Sequence, residues 1–306
     1  AGHRQWLPLD APEGATIGGV IATNDSGPLR HRYGTPRDLL IGVQLATTDG
    51  RLIKAGGNVV KNVAGYDLGK LVSGSFGSLA AIVSATFKLL PAPAASRTLV
   101  AGFRDPQAAA GAAAAIGNSQ LEPMALEVHA SAGPPCACQL LVRFATSPAA
   151  TLAQIAAARE MVASNDIAVA AGPDETTLWR DHAARVWAAP GAVVKLTWLP
   201  AALAQVLTAI ADLPSAAGVG VQLAGRAGVG SGLLRIEGDP AAQAAAVGRL
   251  RARPDLVRHV TVLRASPALK QNVDVWGPSG VAGALAGSIK RALDPAGILN
   301  AGRGPV

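Results

Sequence analysis

Cysteine is nearly absent from this 306-residue chain, and aromatics make up only 4% of it. The two cysteines, Cys136 and Cys138, form a lone CxC. That pair cannot complete a four-ligand zinc site, and the five histidines are scattered without metal-ligand spacing. A disulfide framework is excluded as well, so a reducing, cytoplasmic setting is expected. Long apolar runs are also missing. The longest candidate, Leu79 to Leu90, is broken by Ser84, Thr86 and Lys88 and followed by Pro91 and Pro93, so it reads as a buried strand, short of the roughly 18–20 residues of a membrane span. The formal charge is +7, yet the 27 Lys and Arg are spread mostly singly. A nucleic-acid protein needs a basic stripe with interleaved aromatics, which this chain lacks. Docking on an acidic partner subunit is the expected use of the excess charge. Nor is there an initiator Met or a basic-then-apolar leader. The opening AGHRQWLPLD reads as a strand-like scrap with no partner before it, and the natural start of the domain is expected upstream of residue 1.

Half of the residues are hydrophobic, enough for a sizeable core and for two domains. Small and turn-forming residues concentrate in two places. In GATIGGVIATNDSGP, Thr16 to Thr23 is a short apolar element broken by Gly18 and Gly19, followed by a turn cluster from Asn24 to Pro28. A glycine pair at an element's start leaves amide N–H groups open to an anion; a plain tight turn explains it equally well. The stretch does not match GxGxxG, so it does not read as a dinucleotide fingerprint. Leu39 to Thr47 then reads as a strand, Thr48-Asp49-Gly50 as a hairpin turn and Arg51 to Ala55 as the returning strand. The second concentration is GNVVKNVAGYDLGKLVSGSFGSLAAIVSATFKLL, Gly57 to Leu90. Here a short helix is expected over Val63 to Val72, a loop over Ser73 to Gly77 and a strand over Leu79 to Leu90.

Together, ATIGGVIATNDSGP and KNVAGYDLGKLVSGSFGSLAAIVSATFKLLP resemble the FAD-binding domain of the vanillyl-alcohol oxidase/PCMH-type flavoproteins. Within that superfamily they are most similar to the FAD-binding subunit family of glycolate oxidase (glycolate dehydrogenase). VVKNVAGYDL followed by GSFG carries most of the specificity, and the ending LDPAGILNAGR is similar to the family's C-terminal signature, with Ala301 where a Pro is usual. The resemblance covers residues 1–95 and about 285–306, and the middle by length and pattern only.

It implies an α+β protein: a partial PCMH-type FAD-binding domain (1–95), a cap domain (96–265) and a C-terminal segment (266–306) that returns to the FAD domain. The family's glycine-rich pyrophosphate lobe is expected upstream of residue 1. The cofactor implied is FAD. Gly18, Gly19, Asn24 and Gly27 are expected on one wall of its site. Gly74 and Gly77 belong on another, with Ile82 and Val83 contributing backbone groups. Lys61, Asn62, Tyr66 and Asp67 are the polar candidates near the ring, and Asn300 arrives with the tail. Lys61 as a solvated charge and Asp67 as a helix cap are the plain alternatives.

The middle of the chain reads as a repeat. Strand, helix, strand, strand, helix, strand runs from Thr98 to Ala171 and recurs from Ala192 to Leu263, with a helix, Glu175 to Trp187, inserted between. That is a duplicated βαββαβ, the ferredoxin-like arrangement, and it predicts one antiparallel sheet with helices on one face. Residues 265–281 read as loop, with Trp276 a surface-anchoring aromatic or a lid on a pocket.

Oxidising a 2-hydroxy acid normally takes a His or Lys base and an Arg clamp. The catalytic subunit in the same family of enzymes has a histidine- and acid-rich motif for which this chain has no counterpart, and the cap offers only isolated charges: Arg143, Arg180, Arg185, Lys195, Arg226 and Arg235. No catalytic residue is assigned. Nor can any Cys cluster here ligate an iron–sulfur centre. The expected role is therefore the FAD subunit of a multi-subunit glycolate dehydrogenase, partnered by an FAD-containing catalytic subunit and an iron–sulfur subunit, with contact to the inner face of the membrane only through them. A standalone FAD-dependent 2-hydroxy-acid dehydrogenase and a cofactor-free assembly subunit are the alternatives.

Overall fold

The computed structural model describes residues 3–59, 65–131, 137–278 and 280–303. The chain divides into two units, Ala1–Ala92 with Pro278–Val306, and Pro93–Gly277.

Unit 1 begins with β1 (Gln5–Trp6), α1 (Ile17–Thr23), α2 (Arg30–Tyr33) and α3 (Pro36–Leu39). A three-stranded antiparallel sheet follows, from β2 (Leu40–Ala46), β3 (Leu52–Gly56) and β4 (Ala81–Phe87), in the order β3-β2-β4. The hairpin expected at Thr48-Asp49-Gly50 is present. Gly50 takes the positive φ of 80° that the turn demands, and its N–H donates to the Thr47 carbonyl at 3.0 Å. Of the helix expected over Val63–Val72, α4 (Leu68–Val72) forms, while residues 60–64 lie outside the described residues.

The run from Leu79 to Leu90 departs from the expected single buried strand. It splits into β4 and β5 (Leu90–Pro91), and β5 pairs antiparallel with β1, giving Gln5 and Trp6 the partner that the sequence did not reveal. β4 is an edge strand, half-exposed along its length, because the small core of Val43, Leu45, Val72 and Ala80 covers only one face of the sheet.

Unit 2 holds β6 (Ala95–Phe103), α5 (Pro106–Gly117), β7 (Ala125–Ser131), β8 (Ala137–Thr146), α6 (Pro148–Met161) and β9 (Asp166–Ala171). After α7 (Gly172–Ala184) come β10 (Ala192–Thr197), α8 (Leu203–Ala211), α9 (Leu213–Ala217), β11 (Gly220–Arg226), β12 (Ser231–Glu237), α10 (Pro240–Arg251), β13 (His259–Arg264) and α11 (Pro267–Asn272). The strands form one sheet in the order β13-β10-β12-β11-β7-β8-β6-β9, antiparallel throughout. Each half has its fourth strand beside its first and its third beside its second, so the duplicated βαββαβ is present, and the halves join through β7 and β11.

Local chemistry starts the helices in a repeated way. Asp105-Pro106, Ser147-Pro148, Asp239-Pro240 and Ser266-Pro267 each put a capping oxygen before a proline at the first helical position. Strand alternation then sorts the two faces of the sheet. Leu99, Ala101 and Phe103 of β6, Leu126 and Val128 of β7, and Leu140, Val142 and Phe144 of β8 enter one buried core with residues of α5, α6, α8 and α10. Burying a Leu or Phe there contributes roughly 1.5–3 kcal/mol.

The inserted helix corrects the expectation of helices on one face only. Glu175 of α7 accepts hydrogen bonds from Ser96 Oγ (2.8 Å) and Thr98 Oγ1 (2.7 Å), and Trp179 Nε1 donates to Thr98 Oγ1 at 2.8 Å. Thr98 alternates with the core residue Leu99, so α7 lies on the opposite, polar face.

The domain boundaries also shift from those read in the sequence, 95 and 265. The first falls at 92/93 and the second at 277/278. Residues 266–277 stay with unit 2 because Ser266 caps α11 through Leu269 N–H, Leu269 is buried in its core, and Arg251 binds the Val260 and Asp274 carbonyls. The loop expected over 265–281 therefore contains a helix, and Trp276 follows it, half-buried in the unit 2 portion. Unit 1 is completed by α12 (Gly280–Leu293) and the tail after it.

Candidate functional site

Within unit 1, the loop from Ser73 to Ser78 is held on three sides. α1 provides the first. Thr16 caps it, its Oγ1 accepting from Gly19 N–H at 3.1 Å, and Asn24 ends it in a left-handed conformation with φ 47°. The carbonyls of Ile21 and Ala22 then accept from Gly74 N–H (3.1 Å) and Phe76 N–H (2.8 Å). Asn24 Oδ1 accepts from Arg37 N–H at 3.2 Å, fixing the start of α3 to the same corner.

The C-terminal tail provides the second side. Asn300, itself at φ 49°, donates from Nδ2 to the Phe76 carbonyl. Lys290 of α12 provides the third. Its ammonium donates to the Ser78 carbonyl (2.8 Å), to the Leu299 carbonyl (2.9 Å) and to the Asp294 carboxylate. Asp294 is buried, and its oxygens also accept from Ile298 N–H (3.1 Å) and Leu299 N–H (2.8 Å). The hydrogen bond from Lys290, seconded by those two amides, holds the Asp294 carboxyl below the usual carboxylate range.

This clasp fixes a strained turn. Gly74 and Gly77 take φ of 85° and 72°, and Phe76, which has a side chain, takes 54°. Among the described residues, and its two chain neighbours apart, nothing would lie within 4 Å of a Cβ at Gly77, which leaves open space for a ligand. The neighbouring wall is β4. Gly18 sits close enough that a Cβ on it would lie 4.0 Å from the Ile82 carbonyl, and among the described residues β4 is the outer strand of its sheet. Ile82 turns its side chain to the small core, while Val83 is 54% exposed.

The structure therefore brings together Gly18, Asn24, Gly74, Gly77, Ile82, Val83 and Asn300 from the sequence-derived set. Others stand differently. The Gly19 amide is taken by Thr16, and α1 is a capped helix where a glycine-broken element was expected. Gly27 packs against Asp10: a Cβ there would come within 2.5 Å of the Asp10 Cβ, whose carboxylate accepts from Leu29 N–H at 2.7 Å. Tyr66 is 93% exposed. Asp67 caps α4, accepting from Lys70 N–H at 3.0 Å and pairing with Lys70 Nζ at 2.8 Å. Burial raises its pKa, but the bonds from Lys70 outweigh that and the net shift is downward. Lys61 and Asn62 lie outside the described residues.

Sequence reasoning missed Lys290, Asp294 and Phe76. The i,i+4 spacing of Lys290 and Asp294 was a usable signal. The positive φ of Phe76 was not, since nothing about a phenylalanine announces it. Missed too was His129 beside His182 in unit 2, 53 positions apart.

Comparison with known proteins agrees with the motifs. Residues 1–56 match the family model described as an FAD binding domain. Over 98 residues the chain is 43% identical to glycolate oxidase subunit GlcE of Escherichia coli (strain K12), covering 31% of this chain and 28% of that protein. Over 113 residues it is 39% identical to glycolate oxidase subunit GlcD of Bacillus subtilis (strain 168), covering 37% and 24%. A D-lactate dehydrogenase of Archaeoglobus fulgidus is 38% identical over 120 residues, covering 39% and 27%. The chain thus aligns with about a quarter of the length of these relatives. Among solved structures, an alkyldihydroxyacetonephosphate synthase matches 98% of this chain and 60% of its own, with a TM-score of 0.69 at 16% identity. The BBE-like 1 protein of Physcomitrella patens matches 100% and 72%, with a TM-score of 0.64 at 12% identity. These two share the fold. The N-terminal part of this chain is thus similar to an FAD binding domain, and the chain shares segments with glycolate oxidase subunits and a D-lactate dehydrogenase.

Proposed function

We propose that the clasped loop of unit 1 is one wall of an FAD site, and that the protein is an FAD-dependent oxidoreductase acting on a small 2-hydroxy acid. The observation that carries this reading is the geometry at Gly74 to Gly77. A left-handed backbone, pinned by α1, Asn300 and Lys290, presents an open face where a side chain would stand. Close backbone approach and open hydrogen-bonding groups are what a flavin demands, and the free edge of β4 adds such groups. Bound flavin supplies a two-electron acceptor; this chain's residues bind it and set its surroundings.

Glycolate, oxidised to glyoxylate with loss of two electrons and two protons, is the substrate we favour, on the likeness to the glycolate oxidase subunits. An iron–sulfur partner subunit receives the electrons in this reading, because this chain has only two cysteines. An FAD-containing catalytic subunit completes the assembly, and any location at the inner face of the membrane is reached through these partners from the cytoplasm. The likeness to D-lactate dehydrogenases favours a second reading, a dehydrogenase that works without such partners. Turnover decides between them. Glycolate oxidation with an artificial acceptor only when the partner subunits are supplied supports the first, and turnover by the isolated chain supports the second.

A further inference from the structure

The sheet of unit 2 ends in β13 on one side and in β9 on the other, and its two margins differ. β13 is covered. Arg251 donates to the Val260 carbonyl from Nη2 at 2.9 Å and from Nε at 3.3 Å, and Val262 N–H donates to the Val275 carbonyl at 2.7 Å. The backbone of Ile167–Ala171 in β9 pairs with β6, and among the described residues no other backbone group bonds it. In an antiparallel strand every second residue turns both its N–H and its carbonyl away from a single neighbour. β9 therefore carries a row of donors and acceptors along its outer side. Ala168 and Val169, in its middle, are exposed, Val169 by 40%.

Stable monomers blunt such an edge with a lysine, a proline, a bulge or a covering segment. Ile167 to Ala171 reads IAVAA, without charge or proline. Its register with β6 runs unbroken from Gly102 opposite Asp166 to Arg97 opposite Ala171, so no bulge twists the edge away. An edge of this kind takes up an extended strand through its main chain.

β9 is complementary to itself. Ile167 and Val169 stand opposite the core residues Ala101 and Leu99, so with Ala171 they lie on the face covered by α5 and α6. Ala168 and Ala170 lie on the face crossed by α7. A two-fold axis perpendicular to the sheet at Val169 runs a second β9 antiparallel to the first and keeps each face on its own side. Val169 then meets Val169 of the other copy, Ile167 meets Ala171, and Ala168 meets Ala170. Each isoleucine is set against a small side chain. Asp166 falls outside these pairs, so no like charges stand opposite each other.

We propose that two copies of this chain associate through β9, strand against strand about a two-fold axis at Val169, and join their sheets into one. The interface is isologous, as a closed dimer requires. Built on one short strand from each copy, it belongs to the small, weak class of interfaces, and the dimer forms at high protein concentration. The inference stands apart from the flavin site and does not depend on it.

Sedimentation equilibrium of the full chain, from about 10 μM to about 1 mM, tests it together with charged variants at the axis. The parent should be monomeric at the low end and increasingly dimeric toward the high end. Hydrogen exchange of the outward-facing β9 amides should slow over the same range. Val169→Lys and Val169→Glu each set two like charges together and should weaken self-association by roughly tenfold or more, with the melting temperature of unit 2 reporting that each variant is folded. An equimolar mixture of the two variants sets opposite charges across the axis and should recover the dimer. A parent that stays monomeric with β9 amides exchanging at a constant rate, self-association unaffected by either charge, or no recovery in the mixture would overturn the proposal.

Discussion

Lys290 reaches back 212 positions to donate to the Ser78 carbonyl at 2.8 Å, and the same ammonium holds Asp294 and the Leu299 carbonyl. One side chain therefore ties α12, the tail bearing Asn300 and the loop that precedes β4. In Lys290→Met, the Asp294 carboxylate loses its cation while remaining buried. The melting temperature of unit 1 should fall, and Asp294→Asn should fall with it. The double variant should be less destabilised than the sum of the two, since each removes what the other leaves unpaired. Additive losses in thermal melts would show that the two residues act separately. The lowered pKa of Asp294 gives a sign as well. Its contribution is present above the ordinary carboxylate pKa and is lost as pH falls through the folded value.

Asn300 offers a gentler probe. Its side chain donates to the Phe76 carbonyl. Asn300→Ala should cost about 1 kcal/mol and weaken FAD binding about fivefold, as read by flavin fluorescence on titration. Unchanged affinity would remove the tail from the site.

At Gly27 the prediction concerns packing alone. A Cβ would fall 2.5 Å from the Asp10 Cβ, so Gly27→Ala should destabilise unit 1 by roughly 1–3 kcal/mol. Adding Asp10→Gly should recover part of the overcrowding penalty, a pattern that denaturant melts of the four variants can resolve.

The buried histidines predict a pH dependence for unit 2. Their folded pKa values lie near 2 for His129 and 4 for His182, against 6.5 for the unperturbed group. Between those limits the unfolded chain binds protons that the folded one refuses. Stability is therefore fully present above about pH 6.5 and is lost as pH falls toward 4 and below, at up to about 1.4 kcal/mol per pH unit for each histidine. His129→Gln and His182→Gln should each flatten the acid limb of a melting-temperature profile. An unchanged limb in both would contradict neutral burial.

Much of unit 2 was legible in the sequence because its signals are local. Strand alternation and the Asp-Pro and Ser-Pro caps mark elements wherever they occur, and their order repeats. What the sequence did not reveal depends on distant partners. Gln5 and Trp6 are a strand only because Leu90 and Pro91 lie beside them. His182 joins His129 only because α7 crosses the polar face of the sheet. Leu79 to Leu90 has the composition of a buried strand, but a sheet covered on one face leaves Val83 exposed. In the candidate site, the glycines pointed to Gly74 and Gly77 through their conformational freedom. Asp67 drew notice by its neighbours and is a helix cap; Lys290 drew none and holds the loop.

Gly77 carries the central claim. Its φ of 72° disfavours any β-branched residue, at a cost of roughly 1–2 kcal/mol, and none of the described residues beyond its chain neighbours crowds the site of its Cβ. Replacement by Val should thus leave the protein folded while filling the space assigned to the cofactor. The decisive measurement is the FAD content of the purified protein, parent and Gly77→Val, from visible absorbance and from flavin released on denaturation. One FAD per parent chain and none in the variant, with the melting of unit 2 unchanged, is the expected result. Stoichiometric FAD retained in Gly77→Val would contradict the site.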